Sequence, residues 1–68
     1  MSSLRKLTKQ EAAAYAAHQA AVRAVVVARL DGATEDEIAR LSRRAQAHRA
    51  QWQKLAVRLE VTEDRVYA

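Results

Sequence analysis

The chain contains no cysteine, no proline and no phenylalanine, and Gly32 is its only glycine. Each absence removes a class of protein. Without cysteine there are no disulfides, no thiolate zinc sites and no thiol chemistry, and a reducing compartment is permitted. The cytoplasm is the expected location. Without proline, nothing but Gly32 interrupts a sequence rich in Ala, Leu, Arg, Gln and Glu, all good helix formers. The expectation is an all-α chain. Long apolar runs are also missing: Arg23 and Arg29 divide the stretch from Ala20 to Leu30, whereas a bilayer span needs about 20 apolar residues. Behind the basic start, Lys9, Glu11, His18 and Gln19 break the apolar region that a secretory signal requires. A membrane is therefore not an expected partner.

Groups for catalysis are scarce as well. Ser2, Ser3 and Ser42 have no evident base and orienting acid beside them, and there is no glycine-rich phosphate loop. The expectation is no enzyme, no cofactor and no small-molecule substrate. Only two histidines, His18 and His48, are available for a metal, and a zinc site normally takes three or four protein ligands, so no metal is expected either. The two imidazoles could instead serve as local hydrogen-bonding groups or as a pH-sensitive pair.

What is present organises a single helical domain over residues 1–68. So short a chain buries little apolar surface and needs idealised helices or a partner to hold its fold. Thr8-Lys9-Gln10-Glu11 has the form of a capping box, which predicts a helix over 9–31. Gly32 can take the left-handed conformation that closes a helix, giving a turn over 32–34. Thr34-Glu35-Asp36-Glu37 is a second capping box, with three acids at the positive end of the following helix dipole. The second helix is expected over 35–60. Two helices joined by so short a turn lie antiparallel, as a hairpin.

Ile38, Leu41, Ala45, His48, Trp52, Leu55 and Leu59 repeat with alternating three- and four-residue steps, a heptad seam. On the first helix Leu4, Leu7, Ala14, His18, Ala21, Val25 and Ala28 follow a similar seam, but Tyr15, Val22, Val26, Val27 and Leu30 add apolar surface beside it. One neighbour needs one stripe, so this excess predicts a second contact surface and a homodimer in the form of a four-helix bundle. The candidate core and dimer residues are Tyr15, Val22, Val25, Val26, Leu30, Ile38, Leu41, Trp52, Leu55 and Leu59. Counting outward from the turn places His18 opposite His48, and Trp52 beside Ala13, Ala14 and Ala17, where a large ring fills space left by small residues.

Charge is the remaining signal. The net charge is +4, with nine arginines and three lysines, and such a field attracts polyanions. Between Ile38 and Leu59 there are Arg40, Arg43, Arg44, Arg49, Lys54 and Arg58, with no acid. On a helical wheel Arg40, Arg43, Arg44, Gln51, Lys54 and Arg58 gather about a third of a turn from the seam. Such a ridge can keep an alanine-rich bundle solvated, but its self-repulsion also favours an anionic partner. With Arg65, these seven residues are the candidate nucleic-acid-binding set.

Two stretches resemble the helix-turn-helix superfamily of bacterial and phage regulators. In "AVRAVVVARLDGATEDEIARLS", Ala21 to Ser42, a helix, a Gly-Ala-Thr turn and "EIARL" look like the first two helices of small repressor-type domains. In "QKLAVRLEVTEDRVYA", Gln53 to Ala68, Ala56 matches the small residue under the motif and Val61 and Val66 its apolar positions, with Glu60 where the usual turn glycine stands. The resemblance implies that Thr62 caps a short recognition helix over 62–67, and that Thr62, Glu63, Asp64, Arg65 and Tyr67 face the groove. Packing independently predicts a bend near Glu60 that turns Val66 back onto the bundle. Two functions follow from these readings: a nucleic-acid-binding or transcription-regulatory protein acting through the arginine ridge, or a non-enzymatic interaction module, such as an adaptor, an inhibitor or a phage or plasmid accessory protein, that binds another protein.

Overall fold

A computed structural model describes the backbone of residues 2–67 and the side chains of residues 3–65. Two helices, α1 (Ser2–Leu30) and α2 (Glu35–Tyr67), form an all-α hairpin. The helices are antiparallel: residues near 11–18 on α1 meet Trp52, while Ala17 to Ala24 lie across from Leu41, Arg44 and His48. The result is a rod of 50 × 14 × 13 Å with a radius of gyration of 15.5 Å. A compact chain of this length would have a radius near 11 Å. The rod shape means that each helix has one flank covered and the rest facing outward.

The turn is built as its residues dictate. Gly32 sits at φ 75°, its N–H donates to the Arg29 carbonyl at 3.3 Å, and the Ala33 N–H donates to the Ala28 carbonyl at 2.9 Å. That pair of bonds is a Schellman motif, which satisfies the last carbonyls of α1. Thr34 then caps α2 by accepting from the Glu37 N–H at 3.2 Å. The reciprocal half of the box is not made; the Glu37 carboxylate points instead to Arg40, 3.9 Å away. Nothing lies within 4 Å of a Cβ placed on Gly32, so Gly32→Ala is expected to cost only the left-handed penalty, about 1 to 2 kcal/mol. A urea titration checks this: the midpoint should fall, and an unchanged midpoint would contradict the turn geometry.

Both helices are longer than the sequence signals predict. α1 begins at Ser2 rather than Lys9 and ends at Leu30. Thr8 is not a cap: its hydroxyl donates to the Leu4 carbonyl at 2.9 Å. Ser3 to Leu7 contain no breaker, so the helix propagates through them and leaves the threonine in its interior, bonded one turn back. The same substitution of roles occurs at the other end. α2 runs without interruption from Glu35 to Tyr67, and there is no bend at Glu60 and no separate helix over 62–67. Glutamate is a good helix former and neither glycine nor proline follows Gly32, so nothing stops propagation. Thr62, expected as a cap, donates to the Arg58 carbonyl at 2.8 Å. The expected return of Val66 to the bundle concerns a side chain outside the described residues.

The interface between the helices is thin. Among the described residues only Val25 and Ala45, each 9% exposed, are buried. Leu4, Leu7, Ala14, His18, Ala21, Ala28, Ile38, Leu41, His48, Trp52, Leu55 and Leu59 are half-buried, so both seams face inward as their spacing predicts. Tyr15, Val22, Val26 and Leu30 are exposed, Val26 at 49% and Leu30 at 81%. No helix among the described residues is long and apolar enough to cross a membrane.

Candidate nucleic-acid interface

Each side chain of the proposed ridge, Arg40, Arg43, Arg44, Gln51, Lys54, Arg58 and Arg65, is exposed on α2. At about 100° per residue they occupy an arc of roughly 100°, centred some 130° from the Trp52 seam. Arg49 falls outside that arc, on the opposite flank. The later acids, Glu60, Glu63 and Asp64, also fall outside it, so charge is sorted around the helix rather than mixed. Because α2 is straight through Glu60, Arg65 extends the ridge, and Arg40 to Arg65 spans about 37 Å of helix axis. Among the described residues the only ion pair is Arg40 Nη2 to Glu37 Oε1, at 3.9 Å between exposed side chains. A pair so long and so wet neutralises little. Most of the ridge charge therefore stays available to an external anion.

Two concave surfaces border the ridge, and neither is evident from heptad counting. The first, about 330 Å³, is lined on α1 by Ala17, Ala20, Ala21 and Ala24 and on α2 by Leu41, Arg44 and His48. Alanines recurring at three- and four-residue steps leave a shallow apolar notch against the ridge. The second is an open shelf on the outer side of α2, where Val57 and Val61 lie among Ala50, Gln53, Lys54, Arg58, Thr62 and Arg65. Val57 is 61% exposed. The cations are thus interleaved with apolar positions, which lets a partner approach the helix closely while its charges are met at the sides.

The Trp52 cluster is separate from the ridge and stabilises the hairpin. Its indole N–H donates to Glu11 Oε1 at 2.7 Å. The ring lies 5.2 Å from Tyr15 at an interplanar angle of 59°, and stacks on His18 at 6.0 Å and 7°. Trp52 therefore reaches the expected stretch of α1, where it bonds Glu11 and packs its ring against Tyr15 and His18. Glu11 stands at the seam position between Leu7 and Ala14, where its carboxylate supplies the acceptor that a half-buried indole N–H requires. Tyr15 accepts at its hydroxyl from Gln19 Nε2, 2.6 Å away. His18 Nδ1 is buried without a hydrogen-bond partner, and His48 lines the alanine notch with Arg44. The two histidines thus have different surroundings, His18 against Trp52 and His48 in the alanine notch.

Of the residues that the helix-turn-helix resemblance implies, Glu63, Asp64 and Arg65 are exposed on the continuous end of α2, Thr62 is half-buried, and the Tyr67 side chain lies outside the described residues. Among the described residues no group of three or more His, Cys, Asp or Glu side chains could hold a metal ion. Compared with protein-family models, with curated proteins and with solved structures, the chain has no significant match.

Proposed function

We propose that this protein is a small, self-associating nucleic-acid-binding protein, with a role in transcription regulation or nucleic-acid organisation, and that the arginine ridge of α2 is its contact surface. One observation carries the reading: cations from Arg40 to Arg65 line one side of a single uninterrupted helix, and the Arg40–Glu37 contact is the one ion pair among the described residues. Six like charges held on a rigid rod repel one another, and phosphates relieve that repulsion while releasing condensed counterions. The contacts are to the backbone, since a ridge of cations positions a protein on a duplex without reading its bases. Dimerisation through the exposed stripe on α1 would cover apolar surface that the hairpin leaves open.

A mobility shift with duplex DNA at low salt tests the ridge. Arg40, Arg44 and Arg58 are exposed, so changing all three to Gln leaves packing intact and should abolish most binding. Binding unaltered by the triple change would overturn the assignment of the ridge, and no binding by the parent chain would overturn the function. The exposed Tyr15, Val22, Val26 and Leu30 favour a second reading, in which this stripe docks another protein and the chain acts as an adaptor or inhibitor. Light scattering separates the two: a dimer at tens of micromolar supports self-covering, whereas a stable folded monomer supports a different protein partner.

A further inference from the structure

The apolar stripe and the arginine ridge lie on different sides of the rod. On α1, Ala17, Ala20 and Ala24 are displaced by roughly 100° to 200° around the helix from Tyr15, Val22 and Val26. Those alanines share a notch with Arg44 and His48, which fixes the ridge side of the hairpin. The stripe therefore faces away from it. A second copy cannot dock ridge to ridge, because Arg40, Arg43, Arg44, Lys54, Arg58 and Arg65 would meet their own kind at low separation. On the stripe side there is no such barrier: between Ala12 and Leu30, α1 carries only Arg23 and Arg29 as charges. Among the described residues the hairpin alone buries just Val25 and Ala45, less than a chain of this size ordinarily needs to hold a fold. A second copy, packed α1 against α1, would cover the stripe and enlarge this core.

We infer that the dimer so formed carries its two arginine ridges on opposite outer sides and bridges two separate nucleic-acid segments, rather than gripping one segment twice. This rests on the ridge being a nucleic-acid surface. Duplex DNA is stiff over about 150 base pairs, so a short duplex lying on one ridge cannot wrap the bundle to reach the other. Simultaneous engagement of one segment by both ridges is forbidden by geometry, and with it any gain in affinity from dimerisation. A second segment is free to occupy the vacant ridge.

The test uses an immobilised duplex of about 30 base pairs, far below the stiffness length, and a fluorescent duplex in solution. The parent chain should bind the immobilised duplex and capture the fluorescent one in a protein-dependent manner. The exposed positions Val22, Val26 and Leu30 changed together to Gln, which leaves the charge unchanged, should reduce capture by about tenfold or more while single-duplex affinity stays within about threefold, because dimerisation adds no avidity on one segment. Retained capture by a folded, monomeric triple variant would overturn the inference. If circular dichroism shows that variant to be unfolded, the parent chain decides alone: binding of the first duplex without capture of the second overturns bridging. Absence of any binding to the first duplex overturns instead the nucleic-acid reading on which bridging rests.

Discussion

Trp52→Ala should destabilise the hairpin by about 3 kcal/mol, at the low end for a large aromatic because Trp52 is only half-buried. Three losses add up. The ring's contacts with Tyr15 and His18 vanish, the Glu11 carboxylate loses its indole donor, and the space that the indole fills beside α1 is left open. A core this small supplies about 3 to 5 kcal/mol in total, so the variant should keep only about 0 to 2 kcal/mol, with up to about half of the molecules unfolded at 25 °C and far-UV dichroism reporting lost helix. Trp52→Phe separates the terms. It keeps a ring and removes the donor, and should cost about 1 to 2 kcal/mol through the unsatisfied acceptor and the smaller area. A melting curve for Trp52→Ala that overlays the parent's would show that the hairpin is held by something other than this cluster.

The fold was legible where the signal was a period. The seams from Leu4 to Ala28 and from Ile38 to Leu59 face inward, and the Gly32 turn closes as a single glycine between two helical patterns requires. The ends were not legible, because Thr8 and Thr62 are as compatible with a helix interior as with a cap. A threonine, even in the Thr-x-x-Glu pattern of Thr8 to Glu11, specifies a start only when the residues before it resist helix, and Ser3 to Leu7 before Thr8 and Val57 to Val61 before Thr62 do not. Tertiary partners were partly hidden for a similar reason. A 3.6-residue period places Trp52 opposite the correct stretch of α1, but which side chain there meets its N–H depends on reach, and Glu11 was read only by its position. Val57 falls outside the seam and looks like an isolated surface residue, and Val61 has a meaning in the sequence only as an apolar position of the helix-turn-helix resemblance. Their meaning comes from the straight course of α2, which aligns them with Lys54, Arg58 and Arg65. The ridge itself was legible from charge spacing alone, and the structure places all seven of its residues on the exposed side of one helix.

Salt dependence gives the second large effect and the sharpest test of the ridge. Four to six cations meeting phosphates predict that log K falls with log salt at a slope of about −4 to −5. Between 50 and 200 mM monovalent salt that slope corresponds to a loss of roughly 250- to 1,000-fold in affinity for a duplex. The Arg40→Gln, Arg44→Gln, Arg58→Gln variant removes about three of those contacts, so its slope should be shallower by about 3. The decisive measurement is therefore a salt titration of duplex binding by the parent and by this triple variant. The account predicts a steep parental slope that flattens in the variant. A parental slope near zero, or one that the triple substitution leaves unchanged, would contradict it.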